Sequence, residues 1–144
     1  QGVTQITPLH NALITAAIAN GGTLMRPYLL DHVENVGGEE IRKFLPTAHG
    51  NLMTAEEAAN LTELMRAVVT EGTASAVRTD AYTVAAKTGS AEFETGKETH
   101  AWFTGFAPAE APKIVVTVVV EEAGSGGREA APIARQLFDL YMSR

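Results

Sequence analysis

No cysteine occurs among the 144 residues, which removes disulfides, thiolate metal sites and a cysteine nucleophile together. A chain without thiols suits either redox environment, so the compartment stays open. Basic residues are scarce: 11 Lys and Arg stand against 17 Asp and Glu, a formal net charge of −6. A general nucleic-acid binder needs a basic face, and so acidic a chain offers none. Aromatic residues are few, with a single tryptophan. The longest apolar stretch runs over 114–120 and is interrupted by Thr117. That is far short of the roughly 20 residues a membrane-spanning helix needs. There is no initiator Met, and no charged-then-apolar leader follows Gln1. Gln1 to Gln5 reads like the interior of a longer chain, with any anchor or targeting signal upstream.

What is present is a globular composition, 45% hydrophobic and 19% charged, sized for one domain over 1–144. Thr7-Pro8-Leu9 starts a helix, with Thr as cap and Pro at a position whose missing N–H costs nothing. Leu9, Ala12, Leu13, Ala16, Ala17 and Ile18 follow on almost every face, so a buried helix is expected, ending at Gly21-Gly22. Segments 28–36 and 39–45 flank Gly37-Gly38 as a hairpin. Thr54 and Glu57 form a capping box that opens a second helix. Its Leu61, Leu64, Met65, Val68 and Val69 lie on one stripe, and Gly72 ends it.

Three strands are expected at 82–93, 101–107 and 113–121, joined by gaps short enough to favour antiparallel pairing. The β-branched run at 114–120 predicts a central strand covered on both faces. Pro132 then opens a last helix, with Ile133, Leu137, Leu140 and Tyr141 at helical spacing. The expected class is α+β, an antiparallel sheet with packed helices.

Little in the chain carries chemistry by spacing alone. His10, His32, His49 and His100 are too dispersed for a metal site, and no His-Glu-x-x-His occurs. The sequence implies no metal and no cofactor. The glycine pairs read as turns rather than phosphate loops. Lys87-Thr88 fails as a P-loop, because Ala86 and Ala81 stand where that motif needs glycine. Trp102 and Phe93 are candidates for stacking on a substrate, but the expected role of Trp102 is core packing beneath the sheet, which large aromatics usually serve. Glu92, Glu94, Lys97 and Glu98 read as a solvated strand connection.

Lys87-Thr88-Gly89-Ser90, inside a predicted strand, has a different precedent. It is followed by a strand carrying Trp102-Phe103-Thr104-Gly105-Phe106-Ala107-Pro108, then a β-branched strand and a terminal helix opened by Ala131-Pro132-Ile133-Ala134. It is preceded by Gln5-Ile6-Thr7-Pro8-Leu9, Ala19-Asn20-Gly21-Gly22 and Arg26-Pro27. This order resembles the C-terminal part of the transpeptidase domain of penicillin-binding proteins, closest to the monofunctional class B type, over nearly the whole chain.

The resemblance implies the serine β-lactamase/transpeptidase-like fold. It implies a peptidoglycan D,D-transpeptidase acting outside the cytoplasmic membrane and held there by an anchor upstream of Gln1. The partners it implies are stem peptides ending in D-alanyl-D-alanine and the β-lactams that mimic them. By the same resemblance the Thr88 and Ser90 hydroxyls hold the terminal carboxylate, and Gly89 leaves room for substrate backbone. The Ser90 N–H is then one oxyanion donor, and Lys87 supplies a positive field and assists proton transfer.

The departure from the family lies in the serines. Ser75, Ser90, Ser125 and Ser143 are the only four, and no Ser-x-x-Lys or Ser-x-Asn occurs. The nucleophile-bearing part is therefore expected before Gln1, and the chain alone is expected to be inactive. Uncovered apolar faces would then favour self-association of the chain. Two alternatives stay open, a serine β-lactamase or β-lactam sensor and a non-catalytic module keeping the same fold.

Overall fold

The computed structural model describes residues 4–144, so Gln1 to Val3 of the segment read as chain interior lie outside the described residues. Helix α1 (Pro8–Ala19) begins as the sequence dictates: Thr7 Oγ1 accepts from the His10 N–H at 3.1 Å, with Pro8 in the first turn. Gly22 ends it at φ 93°, and a Cβ there would lie 2.2 Å from the Met53 carbonyl oxygen. The expectation of all-round burial is corrected. Only Thr15 and Ala17 are buried, and Leu9 is 62% exposed. Small residues bring one face close to the sheet, and leucine content alone does not say which faces are covered.

Two short antiparallel pairings follow, one nested within the other. Strand β1 (Thr23–Met25) pairs antiparallel with β4 (Ala48–Asn51), and β2 (His32–Glu34) with β3 (Glu40–Lys43). The second is the hairpin expected around Gly37-Gly38, though shorter. Its turn is closed by Asn35, whose side-chain oxygen accepts from the Gly37 and Glu39 N–H groups. The β1–β4 pairing was not foreseen, since three or four residues with no alternation carry no strand signal.

Helix α2 (Ala55–Thr70) has the full capping box: Thr54 Oγ1 accepts from the Glu57 N–H, and the Glu57 carboxylate accepts from the Thr54 N–H at 2.8 Å. That backbone N–H, together with the Thr54 hydroxyl, holds the Glu57 carboxyl below its ordinary value. The buried residues are Ala58, Met65 and Val69, while Leu61 and Leu64 face outward. Two of the five residues of the expected stripe are thus corrected.

Strands β5 (Ala85–Ala91), β6 (His100–Ala107) and β7 (Ile114–Val120) form an antiparallel sheet in that order, as expected for 82–121. The run at 114–120 is covered on both faces, by α1 and α3, as expected, but it is not the central strand. β6 is central and β7 lies at the sheet's edge, with Val116 its one buried residue. A β-branched run reports compatibility with a pleated surface, not a place in the sheet. A π-type turn at Gly126–Ala130 leads into α3 (Ala131–Met142).

The sheet is covered on both faces. On one, Ala86, Ala101, Phe103 and Ala107 pack with Val69, Val77 and the α3 residues Ala131, Ala134 and Phe138. Phe103 meets Phe138 edge to face at 6.3 Å. On the other, Ala85 and Phe106 pack with Met65, Ala109 and Ile18 of α1. The α3 residues marked by spacing, Ile133, Leu137, Leu140 and Tyr141, are instead exposed. Alanine at 131 and 134 permits the close approach that defines the buried side. The lead-in to β5 is tied to α3 by Tyr82, whose hydroxyl donates to Asp139, itself bound by Arg135 Nε at 2.7 Å. Burial and that carboxylate push the Tyr82 hydroxyl up to about 12.

Gly126 is the tightest joint. A Cβ there would sit 2.1 Å from the Trp102 carbonyl oxygen and 2.5 Å from that of Gly89. Gly126→Ala should therefore destabilise the fold by at least about 2 kcal/mol in a urea titration, whereas Gly50→Ala, with open space around it, should stay within about 0.5 kcal/mol. Equal midpoints for the two would refute the close packing.

A second expectation follows from the capping box. A carboxyl whose folded value is depressed stabilises above its unfolded value and loses that contribution as pH falls through the folded one. The stability gap between wild type and Glu57→Gln should thus be largest at neutral pH and close below about pH 4. A gap independent of pH would remove Glu57 from the cap.

Candidate active site

The register of the sheet builds the site. Lys87 faces Thr104, Thr88 faces Phe103, Gly89 faces Trp102, and Ser90 faces Ala101. Because side chains alternate along a strand, Lys87 and Gly89 share the α1 face with Trp102 and Thr104. Thr88 and Ser90 lie together on the opposite, α3 face, as period two requires. β5 is an edge strand, so residues of both faces reach its open side. A cleft of about 900 Å³ runs along it, lined by Lys87, Thr88, Gly89 and Ser90 and closed by Gln5, Ile6 and Asn11.

Each motif residue has a distinct environment. Lys87 is exposed, and its ammonium donates to the Thr88 carbonyl at 2.5 Å. Thr88 is buried, 8% exposed, and its hydroxyl is paired with that of Thr73 at 2.5 Å. Ser90 is exposed and is the one serine in the cleft lining. A Cβ on Gly89 would meet only the Trp102 Cβ, at 3.5 Å, so the strand is open to a close neighbour there.

Trp102 is corrected: it belongs to neither core and stands half-buried in the cleft lining. Its register opposite glycine gives the indole no partner side chain across the strand pair. Phe93 stacks on His100 with ring centroids 4.1 Å apart and forms the apolar end of the same cleft. His100 Nδ1 accepts from the Glu122 N–H at 3.0 Å. The expected solvated connection holds: Glu92, Glu94, Lys97 and Glu98 are all exposed, and Lys97 pairs with Glu122 at 3.7 Å.

Sequence reasoning missed the hydroxyls around the motif. Thr15 of α1, Thr104 of β6 and Thr117 of β7 form a chain at 2.7 Å per link, and Thr15 also donates to the Asn11 carbonyl. This chain pins α1 to the sheet beside Lys87. The only signal was a threonine inside each of two predicted strands, and it becomes a contact only once the register pairs Thr104 with Thr117. Among the described residues no three His, Cys, Asp or Glu side chains gather as a metal site, and no helix is long and apolar enough to cross a membrane.

This fold, with a Lys-Thr-Gly-Ser edge strand along a cleft, defines a class, and comparison with known proteins gives the same one. The chain matches the penicillin binding protein transpeptidase domain over residues 1–139 and belongs to that family. Within it, the chain is 39% identical over 142 residues to the peptidoglycan D,D-transpeptidase PbpA of Mycolicibacterium smegmatis, covering 90% of this chain and 28% of that protein. It is 34% identical to the D,D-transpeptidase MrdA of Haemophilus influenzae, covering all of this chain and 25% of that protein. The imipenem acyl-enzyme complex of penicillin-binding protein A from M. tuberculosis superposes with a TM-score of 0.90 at 37% identity, over 99% of this chain and 32% of that one. The chain therefore spans about a quarter of the length of these curated relatives.

Thr104→Val removes the middle of the threonine chain and leaves the Thr117 hydroxyl without its partner. We expect a loss of about 1–3 kcal/mol in a urea titration. Thr104→Ser should recover most of it, and full stability in the valine variant would show that the chain does not hold α1.

Proposed function

We propose that this chain forms one wall of the active site of a peptidoglycan D,D-transpeptidase, an acyl-serine transferase that cross-links stem peptides. The observation that carries the reading is that Lys87, Thr88, Gly89 and Ser90 line one cleft along an unpaired strand edge. In this role the Thr88 and Ser90 hydroxyls donate to the terminal carboxylate of a D-alanyl-D-alanine peptide, or of a β-lactam in its place. Gly89 admits the substrate backbone beside Trp102. The Ser90 N–H donates to the oxyanion of the tetrahedral intermediate, a contact typically worth about 3 kcal/mol. Lys87 draws the anionic substrate and assists proton transfer.

None of the four serines in these residues has a lysine three positions on. The nucleophile of the reading comes from residues outside 1–144, in the rest of the transpeptidase domain to which these residues belong. That protein acts on the outer side of the cytoplasmic membrane, anchored by a segment outside these residues. Support comes from the D,D-transpeptidases PbpA and MrdA, which the chain matches over most or all of its length, and from the acyl-enzyme structure it superposes on. Exposed Leu29, Val36 and Ile41 on the hairpin and Leu9 and Leu64 on the helices are the faces that a second copy would cover in a self-associating chain.

The test is labelling by a fluorescent penicillin. The 144-residue chain should form no covalent adduct, and the whole protein carrying it should form one. In the whole protein Lys87→Ala and Ser90→Val should each slow acylation by about 10- to 1,000-fold. Wild-type rates in both variants would overturn the site assignment. An unlabelled whole protein would favour a non-catalytic module with this fold.

A further inference from the structure

We propose that Thr73 is a positioning residue for Thr88: its hydroxyl donates to Thr88 Oγ1 and so leaves the Thr88 proton for an anion in the cleft. The inference rests on the reading of β5 as a carboxylate-binding wall.

Thr88 and Thr15 are the two buried polar side chains among the described residues. The Thr15 hydroxyl is engaged with Asn11 and Thr104, whereas that of Thr88 is paired with Thr73 at 2.5 Å. A hydroxyl has one proton to donate and two lone pairs to accept with. A carboxylate only accepts. If Thr88 spent its proton on Thr73, its lone pairs would be turned toward the incoming anion, and the wall would repel what it is meant to hold. With Thr73 as donor, Thr88 accepts on one side and donates on the other. A donor chain of this kind polarises each link and strengthens the last.

The backbone fixes Thr73 in this place. It comes three residues after α2 ends, next to Gly72, where a Cβ would lie 2.9 Å from the Val68 carbonyl oxygen. The next residue, Ala74, is fully buried and donates its N–H to the same Val68 carbonyl at 3.1 Å. From above, Gly127 presses on the Thr73 carbonyl, 2.3 Å from where a Cβ would stand. Thr73 itself is exposed, so water can donate to its hydroxyl while its proton points inward to Thr88. The loop after α2 and the turn before α3 thus meet at the residue that orients a cleft hydroxyl.

The experiment compares acylation of the whole protein by a penicillin with a free carboxylate and by the methyl ester of the same compound. Thr73→Val should lower the second-order acylation rate for the free acid about tenfold and that for the ester less than twofold. Thr73→Ser should restore the preference for the acid, and Thr73→Ala serves as the hydroxyl-free variant should valine not fold. An equal loss with both compounds, or wild-type preference in the hydroxyl-free variants, overturns the role of Thr73. Failure of the wild-type protein to be labelled by either compound overturns the functional reading beneath it, and the two failures are thereby distinct.

Discussion

The cleft depends on one constraint, the register in which β5 meets β6. Lys87 opposite Thr104 and Thr88 opposite Phe103 decide which motif side chains look toward α1 and which toward α3. A slip of one residue would exchange the two sets and put Thr88 and Ser90 on the wrong face. Two glycines sit in close contact with this strand pair. A Cβ on Gly105 would come within 2.7 Å of the Ala85 carbonyl oxygen, and Gly126 closes over the carbonyls of Gly89 and Trp102. Neither position has room for a side chain, so the strand pair and the turn above it pack closely there.

Around that pair, threonine hydroxyls do the work that charged groups do in many sites. One group ties α1 to β6 and β7 through Thr15, Thr104 and Thr117, and another ties the end of α2 to β5 through Thr73 and Thr88. Uncharged links position the wall without neutralising Lys87, which suits the anion proposed to bind there. Lys87 remains the local positive charge on that wall. The apolar end, Phe93 stacked on His100 with Trp102 beside them, lies beyond Ser90 and suits the less polar part of a ligand.

The order of elements and the motif strand were legible because they rest on local rules. Thr7-Pro8, the Thr54–Glu57 box and the β-branched run at 114–120 each mark an element wherever the chain packs. The Lys87–Ser90 motif could be read because its spacing within one strand is fixed by the strand itself. What could not be read were the long-range choices. Burial on α3 went to Ala131, Ala134 and Phe138 rather than to Ile133 and Leu137, since close approach to a sheet favours small residues over greasier ones. The edge position of β7, the move of Trp102 into the cleft and the Thr73–Thr88 pair all follow from pairings between different segments, and no local pattern encodes them.

The central claim is that this edge strand receives a carboxylate. The most direct measurement is a crystal structure of the whole protein acylated by a penicillin. The account predicts the carboxylate of the bound drug within hydrogen-bond distance of both the Thr88 and Ser90 hydroxyls, with Thr73 still bound to Thr88 and the acylated serine contributed by residues outside 1–144. A carboxylate bound elsewhere, with Ser90 facing solvent and Thr88 bonded only to Thr73, would contradict it.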